Sequence, residues 1–293
     1  MDVAVLGAGR RGRGIAGRCA VAGHDVALYD EDANVVMDTV DEIERAHGSD
    51  AAARVSGTTG LEPAVTDASI VVVATEGSVA EKRDLLAGVE ELVADDALIA
   101  TSDVATSVTA VAAGLLYADR AVGLHFVDAD VANSLVEIVV ADQSAATTVE
   151  RAEEFVSTLD CPRIVVGDGP GFATTRLDLA LIVEATRMIE TGVAGVEAVD
   201  RAMTVGRGNP QGPLELADSI GIDRVVARLE DLADRLDGRF DPPGILYEKI
   251  ESGAIGRRTG EGFYVWEQGE PIEPAEPDPA VVTGDDGSTG IDR

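Results

Sequence analysis

Asp2-Val3-Ala4-Val5-Leu6-Gly7-Ala8-Gly9-Arg10-Arg11-Gly12-Arg13-Gly14-Ile15-Ala16 follows Met1, and its reading decides the fold. Asp2 to Leu6 is a short apolar run with β-branched residues, which reads as a strand. A glycine-rich turn follows, then an alanine-rich helical stretch to Ala22, then Gly23 and a second strand, Asp25-Val26-Ala27-Leu28-Tyr29-Asp30. Strand, glycine turn, helix and strand ending in an acid is the arrangement of a dinucleotide site. Gly7 permits the tight turn, Gly9 lets a pyrophosphate approach the backbone, and Gly12 lets the helix pack close to the strand. The helix N-terminus offers free N–H groups and the positive end of its dipole to the phosphates. Asp30, about 20 residues on, accepts hydrogen bonds from ribose hydroxyls and repels a 2′-phosphate, which favours NAD over NADP.

Beyond Asp30, residues 33–46 read as a helix, with Val36, Val40 and Ile43 on one face. Residues 48–60 are small and polar and read as a loop. Strands are expected at 69–74, 97–100, 121–126, 135–140 and 164–167, with helices at 81–92, 109–116 and 147–159. Alternating strands and helices predict an α/β fold, a Rossmann-type doubly wound parallel sheet. The pattern changes at Gly167-Asp168-Gly169-Pro170-Gly171-Phe172. Helices are then expected at 173–191, 195–205, 214–219, 223–236 and 243–251. The first carries Leu177, Leu181, Val183, Met188 and Ile189, apolar over much of its circumference, and is expected to be buried. This divides the chain into a dinucleotide-binding domain (1–167), an all-helical C-terminal domain (168–267) and an acidic tail (268–293) expected to be disordered.

With 293 residues and an ordinary apolar share of 45%, the chain can bury a sizeable core. No run is long enough to span a membrane and no signal peptide is evident. Cys19 and Cys161 form neither a disulfide framework nor a metal pattern; they read as packing residues in a reduced, cytoplasmic setting. The net charge is −31, with Lys82 and Lys249 the two lysines, which excludes nucleic acid and anionic membranes as partners. Such acidity resembles that of proteins from salt-in halophiles, where screening suppresses self-repulsion. The melting temperature is therefore expected to fall steeply as KCl is lowered from molar to millimolar. A transition indifferent to salt would assign the acidity to another cause, such as a cationic partner.

Several stretches in series resemble the L-3-hydroxyacyl-CoA dehydrogenase family. Besides the glycine turn they are Gly123-Leu124-His125-Phe126, Leu135-Val136-Glu137-Ile138-Val139, Asp168-Gly169-Pro170-Gly171-Phe172, Pro210-Gln211-Gly212-Pro213-Leu214-Glu215-Leu216 with Asp218, and Gly256-Arg257-Arg258-Thr259-Gly260-Glu261-Gly262-Phe263-Tyr264. The resemblance implies NAD-dependent oxidation of a 3-hydroxyacyl-CoA or related 3-hydroxy acid. It implies His125 as the base, Glu137 as the carboxylate that fixes the imidazole tautomer, and a homodimer formed through the helical domain.

The chain also departs from the family pattern. Counting back from His125 without gaps places Val104 at the family's catalytic serine, so Ser102, Thr106 or Ser107 could supply a hydroxyl only through a local shift. Thr175 stands for the family's asparagine and Gly77 for its glutamate near the nicotinamide. The stretch between Asp30 and Thr58, where the family holds coenzyme A with basic residues, offers the arginines Arg45 and Arg54. The alternative reading is an NAD-binding homologue without dehydrogenase activity, a sensor or a subunit.

Overall fold

Strands β1 (Asp2–Leu6), β4 (Ile70–Val73), β5 (Leu98–Thr101) and β6 (Ala121–Phe126) are almost continuously buried. Runs such as Ile70-Val71-Val72-Val73 can be apolar at every position because helices cover both faces of the sheet. The remaining strands are β2 (Asp25–Tyr29), β3 (Val55–Thr58), β7 (Val136–Val140) and β8 (Arg163–Gly167), and the order is β3-β2-β1-β4-β5-β6-β7-β8. In this computed structural model residues 1–129 and 134–276 are described. Met1–Thr174 forms one unit and the chain from Thr175 onward a second.

The connecting helices are α1 (Arg10–Val21), α2 (Ala33–His47), α3 (Ser49–Ala52), α4 (Leu61–Val65), α5 (Val79–Glu90), α6 (Val108–Ala112) and α7 (Ala146–Thr158). Their ends follow local chemistry. The Asp32 carboxylate accepts from the Asn34 N–H at 2.8 Å and caps α2. Ser78 and Glu81 cap α5 reciprocally, and the bonds from the Ser78 N–H and hydroxyl hold the Glu81 carboxyl below its usual range. Two apolar layers flank the sheet, one around Val3, Val5, Ile15, Leu28 and Ile43, the other around Leu6, Val71, Val73, Leu86 and Ile99. Each such side chain contributes about 1.5–3 kcal/mol on burial. Cys19 and Cys161 are buried and free, and burial pushes the Cys19 thiol up to about 12, as suits a packing residue.

The structure corrects the sequence reading in several places. Residues 48–60 are no loop: they hold α3 and β3, which pairs with β2 from Val26↔Val55 to Tyr29↔Thr58. At the sheet edge a strand needs hydrogen bonds on one side alone, so Val55-Ser56-Gly57-Thr58 can be short and polar. β7 runs antiparallel to β6, because the connection after Phe126 is too short for a crossover. The first unit ends at Thr174 rather than at residue 167.

α8 (Thr174–Glu190) begins at the last residue of the first unit and continues into the second, which also carries α9 (Val196–Arg207), α10 (Pro213–Ile220), α11 (Ile222–Arg235) and α12 (Gly244–Ser252). Leu179, Ile182 and Val183 of α8 join Leu214, Val225, Leu229 and Phe263 in its core. The expectation that α8 is buried nearly all round is overturned at Leu177 and Leu181, which are 66% and 42% exposed. The tail expected to be disordered from residue 268 contributes β10 (Glu270–Pro274), paired with β9 (Tyr264–Glu267); residues 277–293 lie outside the described residues. Asp218 anchors this hairpin: its carboxylate accepts from Phe263 N (2.8 Å), Tyr264 N (2.9 Å) and Trp266 Nε1 (2.9 Å). Burial pushes that carboxyl above its ordinary range despite the three donors.

Candidate active site

The glycine turn is built as the spacing predicts. Gly7 has φ +102°, and its N–H bonds Tyr29 O at 2.8 Å, tying the end of β1 to the end of β2. Gly12 packs so closely that a Cβ there would stand 1.7 Å from Gly7 O. The close partner is thus the preceding turn, with Ala74 just past β4 next at 3.5 Å. At Gly9, the residue that opens α1, a Cβ would meet no atom within 4 Å. Open space over a helix N-terminus with no side-chain cap is what a diphosphate requires.

Asp30 closes the same corner. Its carboxylate accepts from Ala8 N at 2.9 Å and Asp32 N at 3.2 Å, so it also pins the glycine turn. The Thr39 hydroxyl donates to Ala8 O at 2.7 Å from the other side. A cleft of about 430 Å³ opens here, lined by Gly7, Tyr29, Asp30, Thr75, Lys82 and Leu85 among others. It lies beyond the carboxyl ends of β1 and β2, where open α/β sheets bind ligands. The residues present therefore fit an adenine dinucleotide.

His125 and Glu137 are directly opposite in the antiparallel β6–β7 pair. His125 Nδ1 bonds Glu137 Oε2 at 2.6 Å. Three further donors converge on the carboxylate: Ala173 N (3.0 Å) and Thr174 N (2.9 Å) on Oε1, and the Thr174 hydroxyl (2.9 Å) on Oε2. Gly171 at φ +74° and Phe172 at φ +50° turn the chain so that those N–H groups aim at Glu137. A left-handed Phe costs roughly 1–2 kcal/mol, a strain the surrounding bonds hold. Burial pushes the Glu137 carboxyl up, but the donors from His125 and Thr174 outweigh it and leave it below its usual range. Its ionisation favours the fold above the ordinary carboxylate range, and that contribution is lost as pH falls through the lowered value. A carboxylate can only accept, so Nδ1 carries a proton, and in the neutral imidazole Nε2 keeps its lone pair. The Phe172 ring packs 5.7 Å from the imidazole.

The hydroxyls offered as substitutes for the missing serine are committed elsewhere. Ser102 donates to Val73 O at 3.1 Å, Thr106 to Asp103 Oδ2 at 2.8 Å and Ser107 to Asp168 Oδ2 at 2.7 Å. Val104 packs with Val108, Val139, Ala141 and Phe172 in a small apolar cluster. Sequence reading missed the charged group beside it. Lys82, 1% exposed, bonds the Asp103 carboxylate and the Thr106 hydroxyl, the latter at 2.8 Å. Arg11 Nη1 lies 3.6 Å from the other Asp103 oxygen. Burial raises the Asp103 carboxyl, but Lys82 and Thr106 bring it below its ordinary range. The available signal was that Lys82 is one of two lysines in the chain.

Known proteins resemble this chain along most of its length. Residues 2–169 match the family described as 3-hydroxyacyl-CoA dehydrogenase, NAD binding domain, and residues 171–266 match 3-hydroxyacyl-CoA dehydrogenase, C-terminal domain. A 3-hydroxybutyryl-CoA dehydrogenase of Bradyrhizobium diazoefficiens is 33% identical over 287 residues, covering 92% of this chain and 97% of that protein. The mitochondrial hydroxyacyl-coenzyme A dehydrogenase of Sus scrofa is 28% identical, covering 89% and 90%. The crystal structure of (S)-3-hydroxybutyryl-CoA dehydrogenase PaaH1 from Ralstonia eutropha superposes with a TM-score of 0.85 at 31% identity, covering 91% and 99%. An N-terminal NAD-binding unit with a buried His–Glu pair, followed by the matching helical unit, places this chain in the 3-hydroxyacyl-CoA dehydrogenase family.

Proposed function

We propose that His125 is the general base, and Glu137 its orienting partner, in the NAD-dependent oxidation of a 3-hydroxyacyl-CoA or related 3-hydroxy acid to the 3-oxo product. The observation that carries this reading is the single orientation of the imidazole. Glu137, with no exposed surface and four donors, holds Nδ1–H and leaves Nε2 free to take a hydroxyl proton. When bound, NAD supplies the acceptor for the hydride that leaves C3. Glu137 then stabilises the imidazolium that forms. Gly7, Gly9, Gly12 and Asp30 would hold the dinucleotide, with Asp30 at the ribose and the first turn of α1 at the diphosphate.

A second cleft, of about 550 Å³, supports a polyanionic substrate such as a coenzyme A ester. It gathers Arg13, Arg45 and His47, and the Arg13 guanidinium bonds Glu42 there. With Arg13 paired to Glu42, Arg45 leaves the cleft with a surplus of positive charge, which in a chain this acidic favours phosphate. Arg54, the other arginine the sequence offered, pairs instead with Asp25 at 2.9 Å. Among the described residues no helix is long and apolar enough to cross a membrane. The exposed Leu177 and Leu181 of α8 support pairing of two copies through the helical unit.

The alternative, a dinucleotide-binding protein without dehydrogenase activity, is favoured by Val104 and the committed hydroxyls. Oxidation of NADH by acetoacetyl-CoA in molar KCl, followed at the nicotinamide absorbance, decides between them. Fluorescence titration with both cofactors tests Asp30. NADH is expected to bind tighter than NADPH, and Asp30→Ala is expected to lose most of that preference. Tighter binding of NADPH by the unchanged protein would remove Asp30 from the site.

A further inference from the structure

The site has a base, but position 104, where the family carries its serine, offers no hydroxyl. Val104 is apolar, and Ser102, Thr106 and Ser107 each donate to a protein oxygen. β5 and β6 pair in parallel, with Thr101 opposite Gly123. Two residues past that pair stand Asp103 and His125, at the carboxyl ends of neighbouring strands. Asp103 carries a positive charge on each side. Lys82 is buried beneath it, with its ammonium spent on Asp103 and Thr106. Arg11, in the first turn of α1, has 29% of its side chain exposed and reaches Asp103 Oδ1 at 3.6 Å. That is its one polar partner among the described residues, and it is longer than a charge-assisted hydrogen bond. The tip is thus oriented by Asp103 while its donors remain available. Because Lys82 already neutralises Asp103, Arg11 adds a positive charge at the carboxyl end of β5, the strand next to the one that carries His125. The contact of Gly14 with Ala129, where an added Cβ would meet Ala129 Cβ at 2.7 Å, brings the start of α1 against the chain just after β6.

We propose that Arg11 supplies the donor to the substrate's C3 oxygen that a serine supplies elsewhere in the family, with Asp103 as its positioning residue. The proposal rests on the dehydrogenase reading above. In oxidation the O–H bond breaks and its proton passes to His125 Nε2. The C3–H bond leaves as hydride to the bound nicotinamide, and the carbonyl forms. In reduction each transfer reverses. Arg11 neither gains nor loses a proton, since its guanidinium stays charged. It stabilises the partial negative charge on the oxygen, the task of an oxyanion-hole donor.

The test uses the whole protein with Arg11→Met and Arg11→Lys, and acetoacetyl-CoA as the probe. Arg11→Met is expected to lower kcat for acetoacetyl-CoA reduction ~10²–10³-fold at saturating NADH; Arg11→Lys, which keeps a donor, should recover part of the loss. A second readout needs no turnover. In the NAD⁺ complex the ¹³C resonance of acetoacetyl-CoA labelled at C3 should move downfield in wild type and return towards its free value in Arg11→Met. Unchanged kcat in Arg11→Met, or weaker NADH binding with kcat at saturation unchanged, overturns the proposal; the latter would make Arg11 a diphosphate ligand. A C3 resonance indifferent to Arg11 also overturns it. If wild type is inert yet polarises C3 through Arg11, the donor stands and the dehydrogenase reading falls. If wild type does not bind the probe, both fall.

Discussion

His125→Gln is expected to lower turnover ~10²–10⁴-fold while leaving NADH affinity unchanged. Glutamine is close to imidazole in length and can still accept near Nε2, but it cannot take up and return a proton at neutral pH. The proposed cofactor contacts lie elsewhere, on the glycine turn after β1 and on Asp30, which is itself tied to Ala8 N at 2.9 Å. Steady-state kinetics with acetoacetyl-CoA, together with NADH titration, separates the two effects. Turnover unchanged in His125→Gln would show that an active enzyme uses another base. Glu137→Gln should cost less turnover than His125→Gln, because the imidazole survives and loses only its negative partner. It also costs stability: four donors converge on the Glu137 oxygens, and a glutamine presents an NH₂ to some of them.

Gly12→Ala is the structural counterpart. Its Cβ would sit 1.7 Å from Gly7 O and 2.9 Å from Gly7 C, both backbone atoms. No rotamer relieves such a clash, and Gly7 cannot yield easily, since its N–H is bonded to Tyr29 O and its φ is +102°. Either α1 moves off the turn or the turn opens. The expected result is a loss of about 1–3 kcal/mol or more in stability and NADH affinity weakened at least ~10-fold, a shift of about 1.4 kcal/mol. Thermal melts and fluorescence titration measure the two. Gly9→Ala is the informative control. Its Cβ meets no protein atom within 4 Å, so the melting temperature should hold while NADH binding weakens, because the added methyl occupies the space left for the diphosphate. A Gly12→Ala protein that melts and binds like wild type would show that the turn relaxes at no cost.

The sequence by itself determined the α/β fold, the glycine turn after β1 and the positions of the sheet's central strands; that His125 and Glu137 belong together was legible only through the family resemblance, and the β6–β7 register brings them into contact. The turn and the strands share a physical basis. Glycine at a forced backbone position and apolar runs buried on both faces are local constraints, visible in the order of residues. β3 was not legible, because an edge strand as short and polar as Val55-Ser56-Gly57-Thr58 is stabilised by β2 rather than by its own pattern. Nor was β10, which is held by pairing with β9 while Asp218 anchors that partner. The exposure of Leu177 and Leu181 was hidden for a related reason, since periodicity marks apolar residues without saying what covers them. At the site, only tertiary structure decided how each hydroxyl and each charge is used. Ser102, Thr106 and Ser107 look equivalent on paper and are separated by the acceptors the fold places beside them. Lys82 and Arg11 are far apart in sequence from Asp103, and they meet it because α5 and α1 bring them to the end of β5, a convergence that sequence order does not encode locally.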